Sequence, residues 1–317
     1  MTAFTSSSTV ASPSSAMDAA TGSNIDELQV HLSVVVPCFD ERLAVEQTLR
    51  KLERALAPIE HREIIVVDDA STDGTSQILD KLAAEIESLR VIRHAANRGY
   101  GGALKTGIRS AKGRFIAITD SDGSYPNDRI PDLLARAEAG ADMVVGARIG
   151  ENVVYSRLRA LAKVIMRRYC VWITRQPIPD LNSGLRVFKR EVIERFLGYL
   201  PDTFSFTTTA TIAFMTNQYL VEYIPISYAA RIGRSKISPI KDTIRFLQLI
   251  VRTALYFAPL RVLGPVIVVL WMVFFGVAGY DVLIGRDLTQ KDLLLLTFAT
   301  YVTLLGLLAD MIDKRLR

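Results

Sequence analysis

The hydrophobic pattern of residues 33–148 alternates between short apolar runs and amphipathic stretches. The apolar runs are rich in Val and Ile and have the length of strands, and each is followed by apolar residues at helical spacing. Strands are predicted at 33–39, 63–71, 90–94, 114–122 and 142–148, and helices at 41–56, 75–88, 102–111 and 132–140. Uniformly apolar strands that alternate with helices are typical of a mostly parallel α/β sheet covered by helices on both faces.

Two longer apolar runs lie near the C-terminal end of the sequence. No charged residue occurs from Val262 to Tyr280 or from Leu293 to Ala309. At a rise of about 1.5 Å per residue, helices of these lengths reach about 25–30 Å, which is close to the thickness of a hydrocarbon core. The pattern therefore predicts two membrane-spanning helices, with two buried helices of a soluble core as the alternative.

The charges around these two runs predict their orientation. The flanking cations are Arg245, Arg252 and Arg261 before the first run, and Lys314, Arg315 and Arg317 after the second. The loop between the runs balances its two cations with three aspartates. The positive-inside rule then places both termini and the N-terminal module in the cytoplasm. The sequence thus predicts an integral inner-membrane protein with two spans.

Composition narrows the class of protein further. Half of the residues (50%) are hydrophobic and 22% are charged, which excludes global disorder. Residues 1–29 are rich in Ser, Thr and Ala without an apolar run, and they are predicted to be a disordered tail rather than a secretory signal. Cys38 and Cys170 are far apart, which excludes a disulfide scaffold and a zinc ribbon, and the three scattered histidines argue against a histidine metal site.

Two stretches combine cations with apolar residues next to the predicted spans. They are Val153–Pro179, which contains no acidic residue, and Arg231–Arg261, in which Asp242 is the only acidic residue. Cations interleaved with Leu, Ile and Phe beside a span are typical of helices that lie at the surface of an anionic bilayer. The net charge of +5 allows an anionic partner without selecting one, and these two stretches are interpreted as membrane-lipid contacts. Nucleic acid is not expected as a partner, because no recognition motif is present.

Acidic residues directly follow two of the predicted strands. Asp120-Ser121-Asp122 follows one strand, and Asp69 stands at the end of another. Ligands of parallel α/β sheets bind beyond the carboxyl ends of the strands. Two carboxylates at this spacing suit Mg²⁺ or Mn²⁺, which take further ligands from water and from substrate phosphates. A calcium loop starting at Asp69 is excluded, because a strand precedes it and Asp80 stands where a bidentate Glu is required.

The segment Asn97–Gly102 is rich in glycine but is not a dinucleotide-binding fingerprint. Leu104 stands where the third glycine of that fingerprint is required. Glycines without such a motif indicate that the backbone approaches a ligand or a neighbouring element closely.

An ordered set of motifs is similar to those of glycosyltransferase family 2, whose members have a GT-A fold. The motifs are VVVPCFDE, VVDDASTDGT, NRGYGGALKTG, TDSDGSYP, DLNSGLRVFKR and RIGRSK. Within the family, the chain resembles the polyprenyl- and dolichyl-phosphate sugar synthases from Ser33 to the predicted spans. The resemblance implies transfer of a sugar, with inversion, from a UDP- or GDP-linked donor to a polyprenyl phosphate. It also implies a Mg²⁺ or Mn²⁺ cofactor and a homo-oligomer, as a tetramer.

The organisation that follows has four parts. A tail at 1–29 precedes a cytoplasmic GT-A catalytic domain at 30–230. Basic amphipathic helices follow at 231–261, and a two-helix membrane anchor occupies 262–317.

The resemblance also implies roles for individual residues. Nucleotide-sugar contacts are implied for Pro37, Phe39, Glu41, Val67, Asp69, Asp120, Ser121, Asp122, Arg148, Arg231 and Lys236. The implied metal ligands are Asp120, Asp122 and Ser124, and the implied catalytic residues are Asp122, Asp180 and Arg186. Asp180 matches a base or an acceptor-positioning carboxylate, with a plain turn residue as the alternative, and Arg186 is assigned to the acceptor phosphate. The chain departs from the family pattern at Phe39 (usually Tyr), at Ser124 (often Gln) and in RIGRSK, which is one residue shorter than usual.

Two other functions remain as alternatives. A membrane glycosyltransferase with another lipid or a polysaccharide acceptor is one, although neither Trp172 nor Trp271 completes the Q-x-x-R-W motif of processive synthases. An inactive scaffold that binds sugar nucleotides is the other, and the intact D-x-D sequence argues against it.

Overall fold

The fold is built on one mixed sheet whose strands are apolar on both faces. The structure, a computed structural model, describes residues 30–148, 167–229, 251–252 and 254–315. The strands are β1 (Leu32–Cys38), β2 (Arg62–Asp68), β3 (Leu89–Arg93), β4 (Phe115–Ile118), β5 (Met143–Arg148), β6 (Arg186–Lys189) and β7 (Val221–Ile226). They form a seven-stranded sheet in the order β3-β2-β1-β4-β6-β5-β7.

Helices follow most of the strands and cover the sheet. They are α1 (Val45–Leu56), α2 (Thr75–Glu85), α3 (Tyr100–Ser110), α4 (Ile130–Glu138), α5 (Arg190–Phe196) and α6 (Phe206–Thr216), followed by the apolar helices α7 (Pro259–Leu283) and α8 (Gln290–Arg315). Residues 167–174 are also helical. This alternation confirms the α/β class and the positions of the predicted strands and helices up to residue 148.

The sheet separates two hydrophobic cores. In β1, Val34 and Val36 pack in one core with residues of α1, α2 and α4, whereas Val35 packs in the other with residues of α3, α5 and α6. Side chains of a strand point alternately to the two faces, so a strand covered on both sides is apolar at most of its positions. All seven residues of β1 are accordingly buried.

One strand breaks the parallel arrangement. β6 pairs antiparallel with both β4 and β5, whereas β1 pairs in parallel with β2 and β4, and β5 with β7. The carboxyl ends of β1, β2, β4 and β5 therefore share one edge of the sheet, and β6 begins at that edge with Arg186. Neither β6 nor β7 was among the strands predicted from the sequence.

The two apolar helices α7 and α8 are long and apolar enough to cross a membrane. Only 6% of the most apolar window of α7 and 17% of that of α8 are buried within the chain. This low burial disfavours the alternative of two core helices. The two helices are joined by a hydrogen bond from Trp271 Nε1 to Thr303 Oγ1 (3.1 Å) and by an ion pair between Lys291 and Asp281 (2.6 Å).

Several sequence-based expectations lie outside the described residues. They concern the tail at 1–29, the larger part of Val153–Pro179, and most of Arg231–Arg261, with Arg231 and Lys236.

Candidate active site

The shared edge of the sheet gathers the polar residues predicted for the site. Asp69 directly follows β2, Asp120 and Asp122 follow β4, and Arg148 is the last residue of β5. The sheet order places β4 between β1 and β6, so the acidic turn after β4 stands near the centre of this edge. This agrees with the expectation that the ligand site lies beyond the carboxyl ends of the strands.

The turn at 120–124 is held in place from several sides. Asp122 Oδ1 accepts hydrogen bonds from the backbone N–H and the hydroxyl of Ser124, at 3.0 and 2.5 Å. The Ser121 hydroxyl donates to the Pro37 carbonyl (2.9 Å), which ties the turn to β1. The Tyr100 hydroxyl donates to Asp120 Oδ1 (2.9 Å). The protein itself thereby sets the direction of both carboxylates.

The donor atoms of this turn fit a hard divalent cation. Carboxylate oxygens are the ligands that Mg²⁺ and Mn²⁺ prefer, and these ions complete their shell with water and substrate phosphates. Within the described ranges, no group of three His, Cys, Asp or Glu side chains is placed to hold a metal ion. Because two carboxylates leave most of the coordination positions of such an ion open, this turn suits a metal ion that also binds the diphosphate of a substrate.

Ser124 has a structural role in this turn. The residue is only 1% exposed, and its hydroxyl donates to Asp122, so it orients that carboxylate. The metal contact predicted for Ser124 stays a prediction beside this role.

Asp69 anchors the glycine-rich segment to the sheet. Its carboxylate accepts hydrogen bonds from the backbone N–H groups of Arg98 and Gly99 (both 2.8 Å) and lies 2.6 Å from His94 Nδ1. Gly99 directly precedes α3, so Asp69 fixes the start of that helix. The nucleotide contact predicted for Asp69 stays a prediction beside this structural role.

The residues predicted along β1 and β2 divide into two groups. Val67 has no exposed surface and packs in the core with α3, so a side-chain contact with a nucleotide does not fit the structure. Glu41 is also buried, and its backbone N–H donates to the Thr75 hydroxyl (3.0 Å). Phe39 is half-buried directly after β1. Of these three side chains, Phe39 is the best placed to contact a ligand.

The glycines of the glycine-rich segment allow a close approach between α3 and the loop at 201–203. The Gly102 N–H donates to the Asp202 carbonyl (3.1 Å), and Lys105 forms an ion pair with the Asp202 carboxylate (2.8 Å). A Cβ atom added at Gly99 would lie 2.6 Å from the Asp202 carbonyl oxygen. This confirms the expected close approach to a neighbouring element, which here is protein backbone.

Arg148 and Asp180 form a bidentate ion pair that the sequence did not reveal. Arg148 Nε and Nη2 lie 2.7 and 3.0 Å from the two carboxylate oxygens of Asp180, and the Arg148 backbone N–H donates to the same group. Burial alone would raise the pKa of Asp180, but the hydrogen bonds and charge of Arg148 lower that pKa below its ordinary value. A carboxylate with a lowered pKa accepts a proton less readily, which favours a positioning role for Asp180 over that of a base.

Tyr125 connects this ion pair with the acidic turn. Burial raises its pKa, and the charges of Asp120 and Arg148 act on the same hydroxyl in opposite directions. The hydroxyl accepts a hydrogen bond from the Gly184 N–H (2.6 Å), and the Tyr125 ring meets the ring of Tyr228 edge-on. Arg148 in turn lies over the Tyr228 ring, 5.2 Å from its centroid. The turn, the ion pair and these aromatic rings thus form one continuous site.

Arg186 does not fit its predicted contact with an acceptor phosphate. The side chain is 0% exposed. Its guanidinium donates to the carbonyls of Leu181 and Ser183 and to the Thr211 hydroxyl, at 2.9, 2.8 and 2.6 Å. Burial lowers the pKa of this guanidinium. Arg186 is an interior residue that fixes the chain before β6 to α6.

Sequence reasoning missed three tyrosines of the site: Tyr100, Tyr125 and Tyr228. Tyr100 and Tyr125 belong to the motifs NRGYGGALKTG and TDSDGSYP, so membership of these motifs was an available signal. No comparable signal marked Tyr228.

Comparison with known proteins agrees with this arrangement. The family model described as "Glycosyl transferase family 2" matches residues 33–197. An undecaprenyl-phosphate 4-deoxy-4-formamido-L-arabinose transferase of Pseudomonas fluorescens is 30% identical over 256 residues, which are 80% of this chain and 71% of the relative. The protein of the same name from Klebsiella pneumoniae is 32% identical over 251 residues, with shares of 77% and 74%.

Solved structures share the fold. Glucosyl-3-phosphoglycerate synthase from Mycobacterium tuberculosis, solved with Mn²⁺, UDP and phosphoglyceric acid, matches with a TM-score of 0.52 at 17% identity over 72% of this chain and 78% of that one. The S. aureus TarS fragment 1–349 with UDP-GlcNAc matches with a TM-score of 0.51 at 22% identity, over 71% of this chain and 66% of the fragment, slightly less than two thirds.

Proposed function

We propose that this chain, which belongs to glycosyltransferase family 2, transfers a sugar from a nucleotide-sugar donor to a polyprenyl phosphate. The observation that carries the proposal is the fixed pair of carboxylates at Asp120 and Asp122, at the central edge of a GT-A sheet. Two further observations support the acceptor class. Relatives at 30–32% identity are named undecaprenyl-phosphate sugar transferases, and two apolar helices follow the catalytic fold.

The chemistry of the reaction matches the charges of the site. In the transition state the departing nucleoside diphosphate gains negative charge, which fixed positive groups stabilise. Asp120 and Asp122 would hold Mg²⁺ or Mn²⁺, which supplies such charge next to the diphosphate when it is bound. Hydrogen bonds from Tyr100 and Ser124 hold the two carboxylates in fixed orientations, so little reorganisation is needed during the reaction.

The acceptor phosphate has to be positioned for attack, but it does not require a strong base to remove a proton. A phosphate monoester has a second pKa of about 6, so its oxygen is largely ionised at neutral pH. Direct attack by this oxygen on the sugar would proceed with inversion. Asp180 holds Arg148 through two hydrogen bonds to its side chain, and Arg148 provides a fixed cation for a phosphate at this edge. The assignments of Arg148, Arg231 and Lys236 to the nucleotide phosphates, and the homotetramer, stay predictions.

The proposed function is tested by transfer with the purified full chain in nanodiscs. Donors are first screened by thermal shift, with UDP- and GDP-linked sugars in the presence of Mn²⁺. The donor with the largest shift is then incubated with undecaprenyl phosphate. We expect a polyprenyl-phosphate sugar together with release of the nucleoside diphosphate. Donor binding without turnover would support the inactive scaffold, and elongation of a polysaccharide would support the other acceptor class.

Asp180→Asn is expected to lower kcat/KM about 10–100-fold, because the neutral amide no longer orients Arg148. The pH–rate curve of the variant should run parallel to that of the wild type between pH 5 and 8. A carboxyl with a lowered pKa stays ionised throughout this range, and its stabilising contribution is lost only as the pH falls through that lowered pKa. Rates are measured for both proteins across this pH range.

The matched control is Asp132→Asn, which alters an exposed aspartate paired with Arg129. A fall in the wild-type rate with decreasing pH that disappears in Asp180→Asn would instead identify Asp180 as the base.

We further propose that the catalytic domain at 30–230 and both termini lie in the cytoplasm, with the anchor at 262–317. A cysteine at Asp287, in the exposed loop between α7 and α8, should react in intact cells with a maleimide that does not cross membranes. A cysteine at Asp128 should react only after the cells are permeabilised. Cys38 and Cys170 are buried, so background labelling stays low. The reverse labelling pattern would overturn this orientation.

A further inference from the structure

A cavity of about 440 Å³ lies outside the acidic edge, at the joint between the catalytic fold and the first apolar helix. Its lining comes from the helical segment 167–174, from the residue after it, and from the first turns of α7. The lining residues are Val171, Trp172, Arg175, Leu260, Arg261 and Pro265. None of these six residues belongs to the candidate active site.

The walls of this cavity are anchored to the catalytic fold. Cys170 and Ile173 pack with Ile212 and Met215 of α6, and Ala258 and Val262 pack against the same cluster. Arg261 donates a hydrogen bond to the Ile173 carbonyl. The cavity is therefore a defined feature of the joint between the two parts of the chain.

The lining combines two guanidinium groups with an apolar surface. Trp172 is 45% exposed, and Leu260 and Pro265 belong to the helix that is apolar enough to cross a membrane. Tryptophan and arginine at the start of such a helix are typical of the headgroup level of a bilayer. A phosphate beside the guanidinium groups and acyl chains along α7 would satisfy both parts of the lining.

Arg175 ends the helical segment 167–174 and stands on the wall of the cavity. Its φ of +58° lies in the left-handed region, and its N–H donates to the Val171 carbonyl (2.7 Å), which is a common way for a helix to end. This helix end places an exposed arginine on the wall of the cavity.

We infer that this cavity binds the phosphate of an anionic phospholipid of the surrounding bilayer, as a site separate from that of the acceptor. The occupant is a phospholipid because the cavity opens at the start of the apolar helix α7 and because its lining, within the part of the chain that the structure describes, carries two cations and no acidic residue. The bound lipid fixes the angle between the catalytic fold and the membrane. The inference depends on the two spans but not on the sugar-transfer activity.

Tryptophan fluorescence tests this site directly. The chain has two tryptophans, so Trp271→Phe leaves Trp172 as the only reporter. In phosphatidylcholine nanodiscs, a small fraction of brominated phosphatidylglycerol should quench the fluorescence of Trp172, and the quenching should saturate as this fraction rises. The apparent affinity for brominated phosphatidylglycerol should be about fivefold higher than that for brominated phosphatidylcholine. Arg175→Gln should abolish this preference, whereas Arg252→Gln, an exposed cation outside the cavity lining, should retain it.

Two further measurements distinguish a bound phospholipid from other ligands that carry a phosphate. Undecaprenyl phosphate that displaces brominated phosphatidylglycerol at equal mole fraction would make the cavity an acceptor site and overturn the inference. Equal quenching by neutral and anionic lipid, or competition by millimolar inorganic phosphate, would also overturn it.

Arg175→Gly separates binding from folding. Glycine adopts the left-handed conformation without strain, so the apparent melting temperature in neutral detergent should stay the same or rise. Phosphatidylglycerol should raise the apparent melting temperature of the wild type, which keeps both tryptophans, but not that of Arg175→Gly. A retained phosphatidylglycerol effect in Arg175→Gly would overturn the inference.

Discussion

Replacement of Asp122 by asparagine is expected to lower kcat of sugar transfer about a thousandfold, because the site loses half of the negative charge that would hold the metal ion. Asparagine has the same shape and can still accept the hydrogen bonds of Ser124, so the turn at 120–124 should keep its conformation. The effect should therefore appear in turnover and in metal affinity, and not in the stability of the fold. Transfer rates are measured over a Mn²⁺ titration, and Mn²⁺ binding is followed separately by electron paramagnetic resonance.

Asp128→Asn is the matched control, since Asp128 is exposed in the short helix at Asn127–Arg129 that follows the same turn. It should leave both kcat and Mn²⁺ affinity unchanged. If Asp122→Asn retained the wild-type Mn²⁺ affinity and rate, the metal role of the turn would be refuted. An equal loss in both variants would indicate a general effect of surface charge.

The first part of the fold is readable from sequence because its elements follow simple periodicities. The Val- and Ile-rich runs of β1 and β2 are buried on both faces, so continuous apolarity marks them. β6 lacks this mark, since its sequence RVFK begins and ends with a cation. Its place in the sheet depends on pairing with β4 and β5, which no local pattern shows.

Helix α6 shows how polar residues can conceal a buried element. Its sequence FTTTATIAFMT contains five threonines, yet all eleven residues are buried. The hydroxyls of Thr211 and Thr216 donate to the carbonyls of Thr207 and Ile212, one turn earlier. Threonine can satisfy its hydroxyl in this way within a helix, so it does not mark an exposed face.

The same distinction applies to the site. Asp120 and Asp122 could be identified because only Ser121 separates them and they follow an apolar strand. The partnership of Arg148 with Asp180 could not, because it joins residues 32 positions apart. The resemblance implies a ligand contact for both Arg148 and Arg186. The register of the sheet separates them, because Arg148 ends β5 at the ligand edge, whereas Arg186 of antiparallel β6 lies opposite Val145 and is buried.

Arg186→Met should therefore act on stability and not on acceptor binding. The substitution leaves the carbonyls of Leu181 and Ser183 without their buried donor, and an unsatisfied buried group costs about 1–3 kcal/mol. Release of a desolvated charge offsets part of this cost, so a net loss of about 3 kcal/mol is expected. In a domain of this size, that loss lowers the apparent melting temperature by about 6–12 °C.

Scanning fluorimetry of the full chain in detergent measures this change, with Arg195→Met as the control. Arg195 is an exposed cation on α5 that bonds the Tyr219 hydroxyl, and its loss should shift the melting temperature by less than about 2 °C. The KM for polyprenyl phosphate, measured well below the melting temperature, should be the same for Arg186→Met and the wild type. A raised KM with an unchanged melting temperature would restore Arg186 as a ligand of the acceptor phosphate. Because the guanidinium has no exposed surface, the chain before β6 would then have to open before the acceptor could reach it.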